Sequence, residues 1–143
     1  MKKTAILFVL IAALVGGTAF AGGQGEEAAG DDVYDIAMVV KVEGVAWFDN
    51  MRLGVEAFGE EHDDVNAWQT GADTADPAAQ VRIVEDLIAQ EVDAILIVPN
   101  DPESLVPVLE RARARGIVVV THEASNIQYA DYDVEALDNK QYG

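Results

Sequence analysis

Four short polar segments, each directly after an apolar run of strand length, hold the side chains of this sequence that could do chemistry. Lys41-Val42-Glu43-Gly44-Val45-Ala46-Trp47-Phe48-Asp49-Asn50 combines a cation, two acids and two adjacent aromatics. Gln69-Thr70-Gly71-Ala72-Asp73, Pro99-Asn100-Asp101 and Thr121-His122-Glu123-Ala124-Ser125-Asn126 add amides, hydroxyls and further carboxylates. Carboxylates and amides hydrogen-bond hydroxyl groups and aromatic faces cover C–H surfaces, so such a set suits a small polyhydroxylated ligand. The candidate contacts are Lys41, Trp47, Phe48, Asp49, Asn100, His122 and Glu123.

Each candidate has a plainer reading beside the functional one. Lys41 either contacts ligand or is a solvated lysine paired with Glu43 or Glu123, an arrangement worth about 0–1 kcal/mol when exposed. Glu123 either accepts a hydrogen bond from ligand or caps the turn that follows its strand. Trp47 and Phe48 are neighbours and cannot share one helical face. Trp47 falls on the stripe of Met51 and Val55, which leaves Phe48 as the freer residue for stacking. His122 and Glu123 face opposite ways if that segment is extended. His62, among Glu60, Glu61, Asp63 and Asp64, reads as a surface residue, and two histidines at unrelated positions have no metal-ligand spacing.

Several chemistries are not signalled. The chain has no cysteine, which removes disulfides, thiolate metal sites and a cysteine nucleophile. No G-x-G-x-x-G follows the first apolar run, and neither G-x-x-x-x-G-K-[ST] nor G-x-S-x-G occurs. No cofactor, metal or catalytic residue is therefore assigned. The 9 basic and 26 acidic residues give a net charge of −17, which disfavours nucleic acid and anionic membrane surfaces as partners. Acids this numerous are expected to form solvated helix faces.

The elements that must position the candidates follow from periodicity. Tyr34–Lys41 is a near-continuous apolar run, as in a strand covered on both faces. Trp47, Met51, Val55 and Phe58 recur at helical spacing within Trp47–Glu61 and predict one buried face. Val65–Thr70 alternates as a second strand. Asp76-Pro77 supplies an N-cap and a proline at the first helical position, before a stripe of Ile83, Val84, Leu87 and Ile88. Asp93–Val98 is the third strand. The helix after Pro99-Asn100-Asp101-Pro102 carries Leu105, Val108, Leu109 and Ala112, with Arg111, Arg113 and Arg115 complementing its C-terminus and Gly116 ending it. Pro107 predicts that this helix begins in earnest only near Ser104. Ile117–Thr121 is the fourth strand, and Tyr132–Ala136 has room for a short fifth. Strand starts at Tyr34, Val65, Asp93 and Ile117 describe an α/β fold with a doubly wound parallel sheet. Ligands of such sheets bind beyond the carboxyl ends of the strands, where all four polar segments lie.

The N-terminal region reads as an address. Met1-Lys2-Lys3, the apolar run Ala5–Val15 and the small residues of Thr18-Ala19-Phe20-Ala21 describe a signal peptide at 1–21, cleaved after Ala21. The apolar run is well short of the ~20 residues needed to span a bilayer, and no cysteine stands near the cut to be lipidated. A soluble periplasmic protein without membrane insertion is expected. Losing Lys2 and Lys3 takes the charge from −17 to −19 and leaves Lys41 and Lys140 as the lysines. Residues 22–32 form a Gly-, Ala- and acid-rich flexible leader.

The segments V-D-A-I-L-I-V-P-N-D-P-E-S-L and G-I-V-V-V-T-H-E-A resemble type I periplasmic sugar-binding proteins, the substrate-binding subunits of ABC importers. V-V-K-V-E-G-V-A-W-F-D-N-M-R-L-G-V and T-H-E-A are most similar to the autoinducer-2 and rhamnose-type receptors. The resemblance implies a two-lobed receptor that closes on a small sugar and presents it to an inner-membrane permease. It places a ligand-contacting lysine on Lys41 and stacking aromatics on Trp47 and Phe48. An aspartate contact of those receptors falls on Glu123, one methylene longer. Asp138-Asn139 and Gly143 resemble the D-N-x-x-x-G stretch leading out of the first lobe, so residues 33–143 are expected to be a first lobe, the second being absent. The other functions this reading competes with are a stand-alone exported α/β enzyme and a chemosensory sugar receptor.

Overall fold

The computed structural model describes residues 33–135. The signal segment 1–21, the leader 22–32 and the lobe-exit motif at 138–143 lie outside the described residues. Five strands and three helices alternate as β1 (Tyr34–Val40), α1 (Ala46–Glu61), β2 (Val65–Gly71), α2 (Pro77–Ala89), β3 (Ala94–Ile97), α3 (Pro102–Ala114), β4 (Val118–His122) and β5 (Tyr132–Val134). All pairings are parallel, in the order β2-β1-β3-β4-β5. Strand order reverses at β1, which has β2 on one side and β3 on the other. Helical crossovers of one hand then leave toward opposite faces, and the crevice between the carboxyl ends of β1 and β3 is the fold's natural ligand position.

The two faces are unequal. On one, α2 and α3 cover Ala37, Val39, Ile95, Ile97 and Val119, with Val84, Leu87, Leu105, Val108, Leu109 and Ala112 closing the main core. On the other, α1 sets Phe48, Met51 and Val55 against Met38, Val40, Leu96 and Val98. Asp76 caps α2 as its sequence position requires, its carboxylate accepting from the Ala78 N–H at 2.9 Å.

Two details of the sequence reading are corrected. α3 starts at Pro102 and runs through Pro107 instead of beginning near Ser104. Pro107 lies on the solvent side, where the Glu103 carbonyl that loses its helical partner is not shut into the core, and the helix continues. In α1 the stripe Trp47, Met51, Val55, Phe58 exists but is only partly buried: Trp47 is 52% exposed and Phe58 lies open, whereas Phe48 is 7% exposed. At about 100° per residue, Phe48, Met51/Arg52, Val55 and Gly59 form the line that meets the sheet. Gly59 approaches Ala67 closely on that line. The predicted stripe is the neighbouring line, turned sideways over β3 and β4. There Met51, Gly54 and Phe58 border an apolar groove of about 550 Å³ floored by Leu96, Val120 and Val134.

The segment joining β4 to β5 is tied to α3. Arg113 pairs with Asp131, whose carboxylate also accepts from the Val119 N–H. The Tyr129 hydroxyl donates to Glu110 at 3.1 Å, and this bond and the charge of Glu110 raise the phenol pKa above its usual value. Leu109→Ala, at a fully buried position of the main core, is expected to lower unfolding free energy by about 2–5 kcal/mol in urea titration. Leu53→Ala, on the exposed side of α1, is expected to change it by less than about 0.5 kcal/mol.

Candidate functional site

Loop 1 leaves β1 through Lys41 and turns at Gly44, whose φ of +75° suits glycine. Its base is fixed to β2. The Glu43 N–H donates to the Ala72 carbonyl at 2.9 Å, and the Glu43 carboxylate accepts from Arg52 at 2.5 Å and from Gln69 Nε2 at 3.3 Å. Gly71 makes this possible, because a Cβ there would stand 2.7 Å from Val40 Cγ2 and 3.3 Å from Glu43 Cγ. Glu43 is thereby committed to Arg52. Lys41 turns instead to the end of β4, where its Nζ meets Glu123 Oε2 at 3.0 Å.

That pair reaches across β3. At ~4.8 Å per strand, β1 and β4 stand roughly 10 Å apart, so both partners must be long. Glu123 adopts φ +60°, a left-handed conformation that costs a non-glycine residue roughly 1–2 kcal/mol. The turn carries its side chain back toward Lys41. His122, just before it, goes the other way and lines the apolar groove beside α1, with its Nδ1 buried and unpartnered among the described residues. The two side chains part as expected, although a left-handed turn and not strand alternation separates them.

Asn100 stands between the two strands. Its Nδ2 donates to the Lys41 carbonyl at 2.9 Å, and its own N–H donates to Gln80 Oε1 at 2.8 Å. Gln80, on α2, is 1% exposed, and its Nε2 reaches the carbonyls of Val40 at 3.2 Å and Val98 at 2.9 Å. One buried amide therefore joins the ends of β1 and β3 to the Asn100 backbone. Buried carbonyls at strand ends demand such a partner.

Of the seven candidates, Lys41, Asn100 and Glu123 are joined by contacts at the carboxyl edge. Trp47 and Asp49 lie exposed in the first turn of α1, where Asp49 complements the positive end of the helix. Phe48 is in the core, so the expected roles of the two aromatics are exchanged and Trp47 holds the free ring face. His122 faces the groove and does not join Lys41. Gln69 lies in the second of the polar segments, whereas Gln80, Arg52 and Asp133 were not anticipated. Gln80 does carry a sequence signal, being a polar residue three and four positions before Ile83 and Val84 on the apolar stripe of its helix. Asp133 carries none, because its role depends on the pairing of β4 with β5.

Residues 36–143 match the model of the periplasmic binding protein domain. The D-ribose/D-allose-binding protein of Pseudomonas aeruginosa is 37% identical over 110 residues, which are 76% of this chain and 33% of that protein. The chain thus spans about a third of the length of that relative. An ABC transporter solute-binding protein from Clostridium phytofermentas with bound L-rhamnose is 25% identical with a TM-score of 0.66, covering 71% of this chain and 32% of that one. One from Burkholderia graminis in complex with D-arabinose is 28% identical with a TM-score of 0.63, covering 72% and 36%.

Gln80→Leu leaves two carbonyls and an N–H without their partner and is expected to destabilise the protein by about 2–4 kcal/mol in chemical denaturation. Glu123→Gly removes the left-handed strain together with an exposed ion pair worth about 0–1 kcal/mol. It is expected to match or exceed the wild-type melting temperature, whereas Glu123→Ala, which keeps the strain, melts lower.

Proposed function

The chain belongs to the periplasmic binding protein domain family, and on that premise we propose that residues 33–143 form the first lobe of an exported receptor that captures a small sugar for an ABC importer. The observation that carries this reading is the meeting of Lys41, Asn100 and Glu123 at the carboxyl edge of the sheet, at the reversal of strand order. Lys41 offers ammonium donors, Glu123 and Asn100 offer acceptors for hydroxyls, and Trp47 offers a ring face to the C–H side of a sugar. Asp49 adds a carboxylate at the mouth.

A pentose or deoxyhexose is the favoured ligand class, in keeping with the ribose, arabinose and rhamnose named for the relatives, one of which is also named for the hexose allose. Autoinducer-2 has its support in the position of Lys41 after the first strand. In this reading the signal segment is cleaved after Ala21, the unlipidated protein works in the periplasm, and the partner is the inner-membrane permease. A second lobe would close over the ligand, and a chemosensory receptor would use the same site. The stand-alone enzyme takes no support from the relatives, which are described as binding proteins.

NMR titration of the chain with millimolar D-ribose, L-rhamnose and autoinducer-2 tests the proposal. Shift changes are expected to gather at Lys41, Trp47, Asn100 and Glu123 for at least one ligand. Lys41→Met is expected to weaken that binding about tenfold or more, as loss of a charged hydrogen bond of roughly 1.5–3 kcal/mol predicts. Uniform silence with all three ligands would overturn the assignment.

A further inference from the structure

The turn after β4 is held by a residue outside the site. Asp133 lies opposite Thr121 in the β4–β5 pairing. Its Oδ1 accepts from the hydroxyl of the fully buried Thr121 at 2.6 Å and from the Ala124 N–H at 3.3 Å. These two donors flank Glu123 within two residues, so a single carboxylate oxygen clamps both limbs of the turn. Between them Glu123 sits at φ +60°, a conformation that a glutamate holds when its surroundings impose it. The imposed backbone directs its side chain onto Lys41 Nζ at 3.0 Å.

The consequence is electrostatic. Lys41 is the cation at the end of β1, and Glu123 neutralises it. Arg52 is already taken up by Glu43. Asp49, Asp73 and Asp101 lie in the surrounding strand-end loops and first helical turns and add only negative charge. A neutral polyhydroxylated ligand can use the pair as donor and acceptor together. Among the described residues, an anionic one finds no uncompensated side-chain cation at this edge and meets several acids.

We infer that Asp133 is a positioning residue for the ligand site, and that by clamping the turn which sets Glu123 on Lys41 it makes the site select neutral over anionic sugars. The inference rests on the sugar-binding reading for its ligand and on the geometry alone for its clamp. Substitution separates the two functions of the carboxylate. Asp133→Asn keeps an oxygen that accepts both hydrogen bonds, Asp133→Ala removes it, and Thr121→Val removes one donor with little change of shape.

The clamp is tested on the whole chain by carbodiimide cross-linking, which joins a lysine to a carboxylate in contact and is read by mass spectrometry. A Lys41–Glu123 cross-link is expected in the wild type and in Asp133→Asn. It is expected to fall at least about fivefold in Asp133→Ala and Thr121→Val, with circular dichroism confirming that both variants are folded. Undiminished cross-linking in the folded variants would overturn the clamp.

Selection is tested by titrating D-ribose against D-ribose 5-phosphate. The wild type is expected to prefer the neutral sugar, and Glu123→Gln and Asp133→Ala to shift the preference at least about tenfold toward the phosphate ester. An unchanged ratio would overturn the selection. If the wild type bound neither sugar, the proposed function and the selection would fall together, while the cross-link would still decide whether Asp133 positions Glu123.

Discussion

The polar groups gathered at the candidate site hang from the carboxyl ends of β1 and β3, and those two ends are joined by the buried amide of Gln80. A parallel sheet leaves the terminal carbonyls of its strands without partners where the chain departs into loops. At a reversal of strand order the problem is sharpest, because neighbouring loops leave in opposite directions and no crossover fills the gap between them. Gln80 answers it with one side chain: two carbonyls accept from its Nε2 and its oxygen accepts from Asn100. Lys41 and Asn100 then start from strand ends whose separation is set, and the bond from Asn100 to the Lys41 carbonyl closes the ring. The crevice exists because its walls are held at fixed spacing.

Charge is arranged in two ways. The acids of the helix faces, such as Glu56, Glu60, Glu85 and Glu103, are exposed and solvated, as the composition led one to expect. Pairs such as Arg111 with Glu85 are also exposed and contribute little to stability. Two other pairs have a geometric role. Arg52–Glu43 fastens loop 1 to the end of β2, and Lys41–Glu123 spans the end of β3. Their side chains are between about a fifth and two-fifths exposed, and their value lies in fixing where a charge stands more than in the free energy of the pair.

Legibility in the sequence followed the range of the interactions. Strand and helix positions, the cap at Asp76, the left-handed ending at Gly116 and the parallel sheet are local or periodic, and they were readable to within a residue or two. The exchange of Trp47 and Phe48 was not. Both lie on lines of helical spacing, and the choice between them depends on how α1 is rotated over the sheet, which is a matter of tertiary packing. The partner of Lys41 was readable only as a choice between Glu43 and Glu123, since it turned on whether Arg52 would claim Glu43. Asp133 was invisible although a short strand was expected around it, because its role depends on which strand β5 pairs with and in what register.

The inequality of the two sheet faces bears on how such a site can work. Cooperative stability concentrates where buried apolar contacts are dense, and elements with few of them open at lower free energy. The α2–α3 face holds the long run of fully buried residues, and Gln80 ties the crevice to that face. α1 rests on a smaller cluster and borders the apolar groove, yet its first turn presents Trp47 and Asp49 and its Arg52 anchors loop 1. The site is therefore built across a boundary between a densely packed half, which sets the positions of Asn100 and the Lys41 backbone, and a more sparsely packed half, which carries the aromatic and the loop. The end of β4 belongs to the first half through its pairing with β3, and the Lys41–Glu123 pair sets the Lys41 ammonium against that end.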